Sequence, residues 1–267
     1  MSTLRTAKID RMLKKEAGQL VAALRILNAE TINLMLEQMV DALQGSYPQP
    51  TEVVLHDLRR IPNTVRAIAG DITGRRPGDP PTDKLLRSVA TGDLRHEIAY
   101  RSVLPDGRVL RSSTIMFTAR DDEPAAALCI NTDVTAWEHL RGALDGLIPT
   151  DADGEAVPIP LRTSTPFVQP ALSDPVNEYF PHSVEELSAR LVDAAIANVG
   201  VPVAEMRKEH KMEVVAELDQ QGYFLVKQSA ETAAAALDVT RYTVYNYLNA
   251  IHARASSTQP IRPSPSD

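Results

Sequence analysis

Apolar positions across residues 10–43 recur at helical spacing. Leu20, Ala23, Leu24 and Leu27 share one face, and Ile32, Met35, Leu36, Met39 and Leu43 carry the pattern past a break near Asn28. Gly45, Pro48 and Pro50 end it. The period then shortens. Thr51-Glu52-Val53-Val54-Leu55-His56 is a β-branched, apolar run, and residues 64–69 alternate as its hairpin partner should. A loop over 70–81 holds Gly74, Pro77, Gly78, Pro80 and Pro81, and Thr82 is placed to cap a helix in which Leu85, Leu86 and Val89 share a face. Residues 95–103 and 109–118 flank Pro105-Asp106-Gly107, a hairpin signal because proline presets one turn dihedral and glycine accepts positive φ. Pro124 leads into a last strand over 125–133. The order β-β-α-β-β-β predicts an α+β fold, a five-stranded antiparallel sheet with helices on one side.

From residue 141 to 182 the texture changes. Seven prolines from Pro149 to Pro181 fall among Thr, Ser, Asp and Gly, the signature of an extended linker. Helical patterns follow. Ser183 with Glu186 forms a capping box opening a helix through residue 199, closed by Gly200 and Pro202. A second helix is expected over 204–220, stopped at Gly222, and a Ser/Pro-rich tail over 256–267 is expected to be disordered.

The most specific signal spans residues 230–248. Ala233, Ala234 and Leu237 form the inner face of a short helix, with small residues that admit a second helix closely. Asp238-Val239-Thr240 is the turn, in which aspartate tolerates a left-handed backbone, Val239 fills the angle and Thr240 caps the next helix. Val244 and Leu248 point back to the core, leaving Thr240, Arg241, Tyr242, Thr243, Tyr245 and Asn246 as the candidate DNA-contacting set. Arginine forks to guanine or phosphate, asparagine pairs with adenine, and the hydroxyls reach phosphates. A helical bundle with a polar outer face would show much of the same pattern. The net charge of -7 gives no bulk attraction to nucleic acid, and residues 201–254 carry six basic against seven acidic side chains. Residues 240–254, however, hold no acid at all. Weak binding by one module, corrected by dimerisation, is the expectation.

The lone Cys129 excludes an intramolecular disulfide framework and any Cys-rich zinc module. No apolar run approaches the roughly 18 residues that cross a bilayer, and residues 1–15 lack the pattern of a signal peptide. No membrane association and a cytoplasmic location are expected.

Several motifs occur in order. They are Glu52-Val53-Val54-Leu55-His56-Asp57-Leu58, Ile72-Thr73-Gly74-Arg75, Gly78-Asp79-Pro80, Asp106-Gly107-Arg108 with Arg111-Ser112-Ser113-Thr114, and Leu128-Cys129-Ile130-Asn131-Thr132-Asp133. With Gly222-Tyr223-Phe224 and the run from Arg241 to Leu248, they resemble bacterial transcriptional regulators that join a YheO-like PAS domain to a C-terminal helix-turn-helix (DauR-like) domain. The resemblance covers about residues 32–133 and 183–251; the N-terminal extension and the long linker depart from it. It implies a transcription factor whose PAS fold senses a small molecule or a partner, and it supplies no ligand. Asp133-Val134-Thr135 also resembles the motif that ends many PAS cores. The expected division is an N-terminal helical extension (1–31), a PAS sensor (32–140), a linker (141–182), a helix-turn-helix domain (183–255) and a tail (256–267).

Within the sensor the candidate ligand-binding residues are His56, Asp57, Arg75, Asp79, Arg111, Ser112, Thr114, Asn131 and Asp133. His56 and Asp57 end the first strand, where the pair either faces a pocket or ties down the turn. Arg75, Asp79 and Arg111 could form an internal ion-pair cluster. Ser112 and Thr114 share one strand face with Ser113 on the other, and Cys129, Asn131 and Asp133 share a face of the last strand. Cys129 reads as core. Enzyme readings find no nucleophile elbow, no paired histidines and no phosphate loop. The six histidines are scattered, and His96 lacks a haem-binding context, so no metal or cofactor is expected. The leading expectation is a ligand-responsive, homodimeric regulator of double-stranded DNA. The alternative is a PAS-type protein–protein interaction module with a helical partner-binding C-terminus.

Overall fold

The computed structural model describes residues 28–145 and 178–257. The expected helix before Asn28, most of the linker and the tail beyond Ser257 lie outside the described residues. The described chain divides into two compact units, one of residues 28–59, 65–77, 94–145 and 178–180, the other of 60–64, 78–93 and 181–257.

The first unit is built on strands β1 (Thr51–Asp57), β2 (Val65–Ala69), β3 (Glu97–Val103), β4 (Val109–Thr118) and β5 (Pro124–Asp133). They form one sheet in the order β2-β1-β5-β4-β3 with every pair antiparallel. Side chains alternate across such a sheet, and its two faces differ in chemistry. Val53, Leu55, Ala126, Leu128 and Ile130 form an apolar face covered by Ile32, Leu36 and Val40 from helices α1 (Ala29–Glu37) and α2 (Val40–Ser46). Full burial of each large side chain contributes about 1.5–3 kcal/mol. Asn28 starts α1 by accepting from the Thr31 N–H at 2.8 Å. Buried Asn33 ties the helix to the sheet, its amide donating to the carbonyls of Ala29 at 2.9 Å and Ala125 at 3.0 Å.

One part of the expected helical face departs. Met35 and Met39 are exposed, because the covered face runs through Ile32, Leu36 and Val40 at a spacing of four and each methionine stands one residue off it.

The second unit contains α3 (Asp83–Thr91), α5 (Val184–Val199), α6 (Lys208–Gln220), α7 (Ser229–Ala236) and α8 (Arg241–Ser257), with α4 (Thr135–Asp145) belonging to the first. Leu86 of α3 is fully buried in one core with Leu187, Leu191, Val214, Leu218, Tyr223, Leu237 and Val244. The crossover helix between β2 and β3 therefore shares its core with the C-terminal helices.

Three boundaries also differ. Asp133 Oδ1 accepts from the backbone N–H and hydroxyl of Thr135 at 2.9 and 2.6 Å, starting a helix that meets no proline before Pro149, so α4 runs on through residue 145 into the expected linker. At the linker's other end Glu178 and Phe180 are buried in the first unit. After Pro202 the chain makes a 3₁₀ turn, Val203–Glu205, and buries Met206 before α6 begins at Lys208.

Candidate functional site

The sheet face turned away from α1 and α2 is polar. Alternation along β1 places Glu52, Val54 and His56 on it, and the strand register carries the pattern across. Glu52 stands opposite Asn131, Asn131 opposite Ser112, and Ser112 opposite Tyr100. A row of four polar side chains thus crosses four strands, and all four are buried. The hydroxyls close on one another: Ser102 Oγ lies 2.8 Å from Ser112 Oγ, and the Tyr100 hydroxyl 3.0 Å from Thr114 Oγ1, itself 3.7 Å from Cys129 Sγ.

The loop after β2 adds charge. The Glu52 carboxylate accepts from the backbone N–H groups of Ile72 at 3.1 Å and Thr73 at 2.9 Å, the Thr73 hydroxyl at 2.9 Å and the Asn131 amide at 3.2 Å. Arg75 Nη2 stands 3.6 Å from the same carboxylate, and its Nε donates to Thr73 Oγ1 at 3.0 Å. The Arg75 side chain is only 1% exposed, its guanidinium carbon is 5.1 Å from the Phe180 ring centroid, and its buried Nη1 meets no acceptor among the described residues. Burial, and then the Arg75 charge, hold the His56 imidazole well below its ordinary pKa. Burial, and then the Glu178 carboxylate, push the Tyr100 phenol far up.

A pH dependence follows from His56. Its folded pKa is depressed, so the unfolded chain binds the extra proton as pH falls through about 6.5. Stability is expected to be complete above that value and to fall below it by up to about 1.4 kcal/mol per pH unit until the folded pKa is reached. Urea midpoints of the natural chain and of His56→Gln, measured at pH 7.5, 6 and 5, check this; parallel lines for the two proteins would refute it.

His56, Arg75, Ser112, Thr114 and Asn131 come together on this face. The other four candidates do not join them. Asp57 is buried on the opposite side, where Arg59 donates to it at 2.9 and 2.7 Å and Arg66 lies at 3.5 Å. The Arg59 N–H closes the turn on Asp57 Oδ1 at 3.2 Å, which matches the turn-binding alternative. Both arginines continue to Glu30, whose pKa their hydrogen bonds hold at about 2. Arg111 is exposed because it is one residue out of phase with Ser112. Asp79 lies in the second unit, so Arg75 has Glu52 as its ionic partner and the expected cluster does not form. Asp133 caps α4. His96 Nδ1 accepts from the Met116 N–H at 3.1 Å.

Glu52, Thr73, Tyr100, Ser102, Glu178 and Phe180 were missed as site residues. The alternation that places His56 on this face also places Glu52 there, four positions earlier, so that one was within reach of sequence reasoning. Among the described residues no group of three or more His, Cys, Asp or Glu is arranged to hold a metal ion, and no helix is long and apolar enough to cross a membrane.

The second candidate surface lies on α8. Ala233 and Ala234 of α7 are buried, Leu237 is fully buried, and Asp238 takes the left-handed conformation with φ +49°. Thr240 Oγ1 then accepts from the Thr243 N–H at 3.2 Å, capping α8. Val244, Tyr247 and Leu248 face the core, whereas Arg241, Tyr242, Tyr245 and Asn246 are exposed and Thr243 is half-buried. Arg241 is already engaged. Its Nη1 pairs with Glu231 of α7 at 2.7 Å, its Nη2 donates to the Tyr245 hydroxyl at 3.2 Å, and its plane lies over the Tyr245 ring. The acid-free stretch read from the sequence thus has an acid facing it from the neighbouring helix. Lys211 of α6 donates to the Asp238 carbonyl at 3.4 Å, which sets a further cation beside the turn.

Two domain models match this chain, the YheO-like PAS domain over residues 28–149 and an HTH domain over 187–249. The chain is a YheO-like PAS domain followed by a helix-turn-helix domain. Its make-up is that of a DNA-binding regulator. It is 27% identical over 79% of its length to the transcriptional regulator DauR of Pseudomonas aeruginosa, of which the match covers 90%. It is 25% identical over 79% of its length to the uncharacterized protein YheO of Escherichia coli K12, covering 81% of that chain. A third relative, an uncharacterized protein of Haemophilus influenzae, is 28% identical over 80% of this chain and 88% of its own. The YheO-like PAS match takes in α3, the helix whose side chains lie in the second unit's core.

Proposed function

We propose that the protein is a cytoplasmic, homodimeric transcriptional regulator whose YheO-like PAS domain senses a small molecule and thereby controls DNA binding by the helix-turn-helix, with no catalytic role. One observation carries the sensing half: a buried row of polar side chains with an arginine at its edge, where a purely structural core would be apolar. An enclosed set of converging donors and acceptors is what recognition of a polar effector requires. Support for the DNA half comes from the exposed residues of α8 and from the relative named as a transcriptional regulator.

Electrophoretic retardation of DNA from upstream of the protein's own gene tests this reading. Arg241→Ala is expected to lose about 1–3 kcal/mol of specific binding with its circular dichroism unchanged. Glu231→Gln, which releases the guanidinium, is expected to tighten binding. A natural chain that retards none of these fragments would favour the protein-binding alternative.

Homodimerisation rests on the exposed Leu34, Met35 and Met39 beside the covered face of α1 and α2. Such apolar side chains are suited to an isologous contact. Light scattering is expected to give a dimer for the natural chain and a monomer for the Met35→Glu, Met39→Glu double variant; a double variant that stays dimeric would place the contact elsewhere.

A further inference from the structure

We propose that residues 178–180 occupy the effector site of the PAS domain, and that the effector is a small carboxylate which pairs with Arg75 and expels them. This rests on the reading of the domain as a small-molecule sensor. The buried guanidinium has its Nε on Thr73 and its Nη2 toward Glu52, and its Nη1 meets no acceptor among the described residues. Leaving such a donor unmade is unfavourable, and a carboxylate is the partner that meets a guanidinium edge with charge and geometry together.

The chain's own segment covers this arginine. Phe180 lies over the guanidinium and packs with Ile72, Leu104 and Leu110. Two residues earlier Glu178 brings a second buried carboxylate, set against the Tyr100 hydroxyl. In this interior Arg75 pairs with Glu52, and Glu178 adds a second buried carboxylate at Tyr100, while burial keeps His56 neutral. A third carboxylate cannot be held beside them in a medium of low dielectric unless one leaves. Glu52 is fixed by its four donor groups, so Glu178 is the one to leave, and withdrawal of Phe180 gives the effector its room. Ser183, three residues beyond Phe180, caps α5 of the helix-turn-helix unit. Displacement of the segment is therefore delivered at the first residue of the DNA-binding half.

The test uses the full-length protein and benzoate, a flat aromatic carboxylate, with benzamide as its neutral analogue. Isothermal titration is expected to show benzoate bound about tenfold more tightly by Phe180→Ala than by the natural chain, a change of about 1.4 kcal/mol. Benzamide should gain nothing, and Arg75→Met in the Phe180→Ala background should remove benzoate binding. Glu178→Gln keeps the packing while removing the competing charge, and should also strengthen benzoate binding; it decides the matter if Phe180→Ala does not fold. Equal benzoate affinity in the natural chain and these variants, benzamide binding as well as benzoate, or no benzoate binding by any of them would overturn the proposal. DNA retardation is run in parallel. Retained DNA binding with a failed titration defeats this inference alone, whereas loss of DNA binding by the natural chain defeats the functional reading.

Discussion

Glu52→Ala is expected to destabilise the sensor by about 3–5 kcal/mol, the range seen when one partner of a buried ion pair is removed. The carboxylate is fully buried and collects two backbone N–H groups, a hydroxyl, an amide and the Arg75 guanidinium. Deleting it strands the donors of Ile72, Thr73 and Asn131 and removes the ionic partner of the buried guanidinium. The double variant Glu52→Ala, Arg75→Met separates these contributions. If uncompensated charge dominates, removing it should recover a large part of the loss. Urea unfolding followed by circular dichroism measures both, and a double variant no more stable than Glu52→Ala would show that the lost hydrogen bonds decide the outcome.

A second large effect is expected at Gly222. Its φ is +76°, a left-handed backbone that costs an L residue roughly 1–2 kcal/mol, more when β-branched. A Cβ there would also stand 2.7 Å from the Ala90 Cβ and 3.0 Å from the Leu86 carbonyl oxygen, and overpacking of this kind costs about 1–3 kcal/mol. Gly222→Val should therefore lose roughly 2–5 kcal/mol of stability in the helical unit. Ala90→Gly in the same chain should return only part of it, since the backbone conformation and the carbonyl contact remain. A Gly222→Val midpoint equivalent to the natural one would mean that α3 does not press on Gly222 as the structure has it.

Elements whose cause is local were legible in the sequence. The Thr82 and Ser183 caps, the Pro105-Asp106-Gly107 hairpin and the left-handed Asp238 each depend on a few adjacent residues, and each stands where chain chemistry put it. Alternation along β4 and β5 likewise gave the shared faces of Ser112 with Thr114 and Cys129 with Asn131 correctly. What the sequence hid was pairing between distant segments. Nothing near Arg75 marks Glu52 as its partner, since register and a loop joined them. Nothing in the acid-free stretch after Thr240 shows that Glu231 reaches across from α7 to Arg241. Glu178 and Phe180 were absorbed into the linker because prolines around them dominate the local pattern, while their burial comes from the sheet they meet. The same limit governed α3, whose amphipathic face was read correctly but whose covering surface is contributed by helices encoded far downstream.

That placement of α3 alters what counts as a portable part of this protein. The helix is synthesised before β3, β4 and β5, yet Leu86 completes the core around Tyr223 and Leu187. A gene fragment encoding only residues 181–267 would lack that piece, and a chimera grafting it onto a foreign receiver would carry a vacancy opposite Gly222. During translation α3 must wait, its apolar face uncovered, until the last third of the chain has emerged. Recombination that exchanges DNA-reading heads between regulators would succeed here only where the donor's α3 travels with its C-terminal helices, so the unit of inheritance is the interleaved pair.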